Sequence, residues 1–470
     1  MEKFISWVEL INGKLNSFAW GPIMLLLLVG TGIYLTVRTG CVQVGKFGFI
    51  MRNTVGTLFR KSGKGEEKGK NLSPFEAVTT AMAGTVGTGN VAGVTGALFV
   101  GGPGAVFWMW VSAFFGMFTK YAEIALSMKY RIKGEDGLYR GGPMYYIERG
   151  LGTGWKWLAV IFALLGGLAS FGIGNIAQSS EIAGAVVGLT GLTDGGNVRL
   201  IVGIVLALIV AVVVLGGVKR IGQVTSYLVP FMAIFYILAG IVLICMRITG
   251  VPAALAAIFK GAFSFKAVGG GVFGYAIMIA MRQGVARGVF SNEAGLGSAP
   301  IAHAASSTEE PGEQAMWGVF EVFMDTIVIC TITALAVLLS GIPLGSEALG
   351  AYASKGAAAA AAFNAILPGT IGGVVIQFSL LFFAFSTIVS WCYYGERCWD
   401  YITGSNKAVN LIYKLAFIAV CVVGATGSGT LMWDISDTLN GLMALPNLIA
   451  LLLMSGTVVK ITRDYFARHK

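Results

Sequence analysis

Charge is scarce in this chain. Of its 470 residues only 12% are Asp, Glu, Lys or Arg, against about 25% in an ordinary soluble domain. Hydrophobic residues make up 56%, and the mean hydropathy is +0.77. A water-exposed globular surface cannot be built from this composition. Histidine is nearly missing, and His303 and His469 cannot form a His-based metal centre. The six cysteines (Cys41, Cys245, Cys330, Cys392, Cys398, Cys421) contain no CxxC pair. Most fall in apolar segments, where a free thiol packs as a small apolar group. No clustered His/Asp or Ser/Lys set lies at one depth, which argues against a membrane-embedded enzyme. No ATP motif appears, and Gly295-Leu296-Gly297 lacks the preceding strand that a dinucleotide fingerprint needs. No cofactor is expected. The amino-terminal 16 residues are mixed polar, and the apolar run after them continues to about residue 37, so no cleavable signal peptide is expected.

What is abundant is apolar length. About eleven segments reach or exceed membrane-crossing length: 17–37, 74–99, 104–128, 156–189, 199–216, 223–248, 268–290, 315–340, 363–394, 409–425 and 431–457. Barrel strands of about ten alternating residues are excluded, so the expectation is an all-α polytopic membrane protein. Basic residues orient it. With the amino terminus outside, inner loops hold roughly 24 Lys/Arg and outer ones roughly 7. The loop after the first span carries Arg38, Lys46, Arg52, Arg60, Lys61, Lys64, Lys68 and Lys70; Lys219-Arg220 and the tail Lys460, Arg463, Arg468 and Lys470 fall on the same side. These runs read as topology determinants beside anionic lipid of the cell membrane. No basic stripe interleaves with aromatics, so nucleic acid is not an expected partner. A monomer is expected.

The segment Gly84-Thr85-Val86-Gly87-Thr88-Gly89-Asn90 lies inside an apolar span yet holds three glycines, two threonines and an asparagine. Glycine disfavours a helix interior by roughly 1 kcal/mol relative to alanine. Backbone freed from a helix must be buried in protein or line a cavity. A second interrupted segment is expected near residue 268, opened by Gly269-Gly270-Gly271-Val272-Phe273-Gly274 and interrupted again at Arg282-Gln283-Gly284. Two Gly-interrupted spans in matching places point to inverted repeats with a site between them. The second starts five spans after the first, an odd number, so the second half enters upside down. The expected organisation is an introductory helix and basic loop (1–73), a first repeat (74–248), a second repeat (264–457) and a tail (458–470). Glycine runs also serve as close-packing faces; the second break and Asn90 favour the site.

Gly101-Gly102-Pro103-Gly104-Ala105-Val106-Phe107-Trp108-Met109-Trp110-Val111-Ser112-Ala113-Phe114-Phe115-Gly116 resembles the signature of the sodium:alanine symporters, the alanine/glycine:cation symporter family. Thr85–Asn90, Arg140-Gly141-Gly142-Pro143-Met144-Tyr145-Tyr146 and Phe290-Ser291-Asn292-Glu293-Ala294-Gly295-Leu296-Gly297-Ser298-Ala299-Pro300 resemble the same family, in order over essentially the whole chain. The resemblance implies the leucine-transporter fold, ten core helices in two inverted halves, and sodium-driven uptake of alanine or glycine, in some members D-alanine too. A looser similarity reaches the leucine-type neurotransmitter symporters, through Gly87-Thr88-Gly89-Asn90 and through Phe382-Phe383-Ala384 ahead of Phe385-Ser386-Thr387.

A zwitterionic substrate needs donors for its carboxylate and acceptors for its ammonium. The half-helix after Gly87 offers free N–H groups and a positive dipole end, and Gly87 and Gly89 admit close approach. Thr88 and Gly89 amides are the expected carboxylate contact, with the Thr85 hydroxyl beside them. Gln178, from the polar set Ser170, Asn175, Gln178 and Ser179, completes the site, while interhelical bonding accounts for the rest of that set. Phe273 and Gly274 at the expected second break would cap a pocket for one methyl group. For sodium, the carbonyls of Ala83 and Val86 suit a hard cation, Ser386 and Thr387 complete the shell, and Ala384 joins them by the resemblance. The bland account of the two hydroxyls is a bond back to their own helix. Asn90 offers a neutral oxygen to substrate or ion. Trp108, Trp110 and Trp391 are large enough to wall a pocket or gate, or serve as belt and packing residues. Lys120 and Glu123 read as an i, i+3 ion pair, Glu321 and Asp325 as intramembrane acids or partners of Arg282 or Arg287, Asp434 and Asp437 as helix-start acids, and His303 as a helix-end residue. Glutamine as substrate, or protons as coupling ion, is the alternative; a passive channel would leave the matched breaks without a purpose.

Overall fold

The computed structural model describes residues 2–58, 70–263, 272–427 and 430–469, with residues 2–5, 58, 272–276 and 430–433 described by helical backbone alone. Among the described residues it is predominantly helical, with one short hairpin that pairs Ile132–Lys133 with Tyr139–Arg140 and a single bridge between Leu72 and Ser306. Among the described residues eight helices are long and apolar enough to cross a membrane, from Ser6–Arg38 to Asp434–Leu453. Three further expected spans lie outside that count. One is cut in two at Val86. One, Gly104–Tyr130, carries Lys120 and Glu123 in its apolar length. The third begins in residues outside those described.

The first broken span starts at Ser73. Its hydroxyl accepts the Glu76 N–H (3.1 Å), and the Glu76 carboxylate accepts the Ser73 N–H (2.8 Å), a reciprocal cap that satisfies two free donors. Pro74 takes the first turn, where no N–H is needed. The helix Pro74–Thr85 ends as Val86 leaves helical geometry at ψ 86°. The chain resumes through a wide π turn at Gly89–Gly93 and continues as Val94–Gly101. Hydroxyls of the long helix Ile371–Thr403 meet carbonyls near the break. Ser386 Oγ donates to Ala83 O at 3.3 Å, and Ser390 Oγ to Thr80 O. Freed backbone is thus satisfied by side chains, as apolar surroundings require.

The opening expected at Gly269-Gly270-Gly271 lies outside the described residues, and the further interruption expected at Arg282-Gln283-Gly284 is not found. Helix Val272–Asn292 runs without interruption through Arg282-Gln283-Gly284. The chain breaks at 293–298, before the short helix Ala299–His303. Gly295 and Gly297 take φ +95° and +81°, and Glu293 adopts a left-handed φ of +55° despite its side chain. Here too side chains replace the lost ladder. Asn292 Oδ1 accepts the Ala294 N–H (2.9 Å), Glu123 Oε1 accepts the Gly295 N–H (3.0 Å), and Asn447 Nδ2 donates to Gly295 O (2.9 Å). Gly284 does not break its helix; it lets that helix close on Gly104–Tyr130, for a Cβ there would lie 2.2 Å from Ala105 O.

Two more spans carry wide turns. Lys156–Phe171 passes through Gly172–Ile176 into Ala177–Thr190, and Pro311–Val322 passes through Phe323–Cys330 into Thr331–Ser340. Such π turns re-aim side chains and recur at functional sites. Glu123 is committed to the second break, so it is not the partner of Lys120. Lys120 Nζ instead lies 3.5 Å from Glu321 Oε1.

Candidate functional site

The two breaks meet. A Cβ on Gly89 would lie 3.2 Å from Phe290 Cδ1 and 3.6 Å from Ser291 Cα. Between them is a cavity of about 20 Å³, room for one water-sized centre. Thr85, Gly87, Thr88, Gly89, Gln178 and Thr387 line it, so six of the sequence candidates share one space. Thr88 and Gly89 open the resumed helical segment, which places their N–H groups among those without an intrahelical acceptor. Thr88 Oγ1 donates to Gln178 Oε1 (3.1 Å), and Gln178 Nε2 donates to Ile173 O (3.0 Å) beside the wide turn. The rest of that polar set is structural: Asn175 bonds Phe417 O, Ser179 bonds Asn175, and Ser170 bonds Tyr413.

Asn90 does not line the cavity. Its Oδ1 accepts the Gly87 N–H (2.8 Å), and its Nδ2 donates to Asp325 Oδ1 (2.6 Å). It fixes the shape of the break and ties it to the wide turn Phe323–Cys330. Phe273 and Gly274 belong to the residues whose side chains are not described. Val86, at the first break, and Ala384, in Ile371–Thr403, are fully buried. The Thr387 hydroxyl donates to Phe383 O at 2.9 Å, back to its own helix, and the single Ser386 hydroxyl hydrogen is shared between Phe383 O (2.9 Å) and Ala83 O (3.3 Å). These bonds use the hydroxyl hydrogens and leave the oxygen lone pairs for a cation. Thr387 Oγ1 would lie 2.6 Å from a Cβ on Gly87, so only glycine fits opposite it.

Phe290, Glu293, Trp391 and Asn440 also line the cavity; of these only Trp391 was anticipated, as a residue large enough to wall a pocket. Glu293 Oε1 accepts the Trp391 indole N–H (3.0 Å), and Oε2 accepts the Ser298 hydroxyl (2.5 Å). Phe290, Thr88 and Gly89 border a second cavity of about 250 Å³ as well, lined in addition by Glu181, Arg287 and Lys355. Phe290 therefore stands between the inner cavity and a wider charged vestibule. The Arg287 guanidinium lies 5.4 Å from the centre of the Phe290 ring and 3.8 Å from Asp437. Asp437, expected as a helix-start acid, instead bridges to Arg287 and accepts from Asn16 Nδ2 (3.1 Å).

Residues 5–470 match the model of the sodium:alanine symporter family. The chain belongs to that family. It is a transporter of the amino-acid symporter kind, not an enzyme. It is 48% identical over 467 residues to the sodium/alanine symporter AgcS of Methanococcus maripaludis, covering 98% of each chain. It is 36% identical over 467 residues to a Bacillus subtilis protein named "Probable sodium/glutamine symporter GlnT", covering 97% of this chain and 92% of that one. The crystal structure of MhsT in complex with L-phenylalanine superposes with a TM-score of 0.58 at 14% identity, over 84% of this chain and 99% of that one. This likeness shows the fold, of the leucine-transporter type.

A wider cavity, about 890 Å³, lies away from the breaks, between the Ile132–Arg140 hairpin and Arg397–Lys414. Its charges compensate one another: Arg140 pairs with Asp400 (2.9 Å), and Lys414 and Arg397 pair with Glu396 (3.0 and 2.8 Å). The small cavity at the breaks, where unspent backbone groups converge, fits a transport site better. Glu293 was open to discovery from sequence, for it stands in the 290–300 motif. Asn440 carried no local signal.

Proposed function

We propose that this protein couples sodium entry to uptake of a small neutral amino acid, alanine or glycine and also D-alanine, by alternating access about the meeting point of the two breaks. The halves 74–248 and 264–457 form the repeats that rock against each other, in a monomer of the cell membrane with its amino terminus outside and carboxyl terminus inside. The observation that carries this is the shared space between Thr88–Gly89 and Thr387, with glycine required on one side and a hydroxyl on the other. The amides of Thr88 and Gly89 take the substrate carboxylate. Ala83, Val86, Ala384, Ser386 and Thr387 supply oxygens for sodium. The space walled by Trp391 and Phe290 must widen to take any amino acid, and has least to widen for a one-carbon side chain. The membrane potential adds about 2.3 kcal/mol per charge at 100 mV.

Purified protein in liposomes should accumulate labelled alanine in sodium and not when choline replaces it. Uptake unchanged in choline refutes the sodium assignment, and glutamine outcompeting alanine refutes the substrate. Thr387→Ala should raise the sodium concentration for half-maximal uptake about tenfold, the equivalent of about 1.4 kcal/mol. An unshifted sodium curve would remove Thr387 from the ion shell.

A further inference from the structure

We propose that Glu293 and Asn440 hold the ammonium group of the transported amino acid. This rests on the cavity between the breaks being the substrate site. The carboxylate end is provided for by backbone N–H groups, and the opposite charge needs acceptors. Gln178 offers at most one further lone pair on a neutral oxygen that already accepts from Thr88, its amide donating to Ile173 O, so it cannot balance the ammonium charge. Among the residues lining the cavity Glu293 alone bears an ionisable side chain. It is 3% exposed, and no cation pairs with it among the described residues. Lys120 is committed to Glu321 and Arg287 to Asp437. Each Glu293 oxygen takes one neutral donor, Trp391 or Ser298, and a carboxylate oxygen can accept a second. The left-handed backbone at Glu293 holds the side chain at the break.

Asn440 gives independent support. It is 1% exposed, lines the same cavity, and its Oδ1 has no hydrogen-bond partner among the described residues. A buried amide oxygen without a donor is costly. An ammonium carries three donors, enough to reach both Glu293 and Asn440. Trp391, its indole N–H spent on Glu293, then presents its ring as a wall beside the substrate.

The test is labelled-alanine binding to purified full-length protein in saturating sodium. Glu293→Gln should weaken binding at least tenfold. Asn440→Leu, of nearly the same size, should weaken it several-fold, whereas Asn440→Asp, which keeps an acceptor, should bind at least as well as wild type. Wild-type affinity in both Glu293→Gln and Asn440→Leu overturns the proposal. So does binding retained in Asn440→Leu and lost in Asn440→Asp, the order that a purely packing role predicts. Should Glu293→Gln fail to fold, the Asn440 pair decides alone. Wild-type protein that binds no alanine refutes the substrate assignment instead, a separate outcome.

Discussion

Gly89→Leu should abolish alanine binding while the protein still inserts and elutes as wild type. Gly89 borders both the inner cavity and the vestibule, and its missing side chain faces the Phe290 ring at 3.2 Å. One methyl group there already requires Phe290 to shift by a few tenths of an ångström. Three further carbons fill the 20 Å³ space outright and cover the N–H groups that would meet the substrate carboxylate. An affinity loss of at least about 100-fold, or about 2.7 kcal/mol, is expected. Labelled-alanine binding to the purified variant measures it, and normal affinity would remove the break from the substrate site.

The first break was legible because its residues have few other uses. Glycine at 84, 87 and 89, with Asn90 and two threonines, opposes a helix, and Asn90 supplies the acceptor that Gly87 needs once the ladder is gone. The interruption expected at Arg282-Gln283-Gly284 was misplaced because glycine has two jobs in a membrane helix. Gly284 and Gly288 admit close contact, with Ala105 O and Ser112 Oγ at 2.2 and 2.5 Å from the positions of an added Cβ. Gly295 and Gly297 instead take positive φ and end the helix. The signal that separates the two pairs lies just downstream of the second, where Ser298-Ala299-Pro300 places a proline in the first turn of a new helix. The sodium candidates Ser386 and Thr387 came from resemblance, and their local spacing alone would have left them back-bonded residues. Ion partners were the least legible. Spacing along one helix favoured Lys120 with Glu123, but the fold brings Glu321 and Gly295 to them from other segments. Asn440 is 350 residues from Asn90 in sequence and gained its place through tertiary packing alone.

Lys120→Met should destabilise the folded protein by about 3–5 kcal/mol, the usual cost of removing one member of a buried ion pair. Lys120 and Glu321 are both fully buried. The other Glu321 oxygen lies 3.1 Å from His303 Nε2. Ser306 donates its hydroxyl to Gln314 Oε1 (3.0 Å), which turns the Gln314 amide hydrogens toward His303 Nδ1 (2.8 Å). His303 thus accepts at Nδ1 and donates from Nε2 as a neutral ring, which leaves Lys120 to balance the carboxylate. Methionine preserves the stem that packs against Gly318 and removes only the charge. Adding Glu321→Gln should restore most of the loss, because the unpaired charge rather than the missing contact carries the cost. Thermal unfolding in detergent should show the single variant several degrees below wild type and the double variant close to it. A single variant that melts with wild type would show that solvent or another group already balances Glu321. The same pair fastens Ala299–His303, the second half of the second broken span, to Gly104–Tyr130 and Pro311–Val322. The single variant should therefore lose uptake at temperatures where it remains folded, and the double variant should regain less uptake than stability.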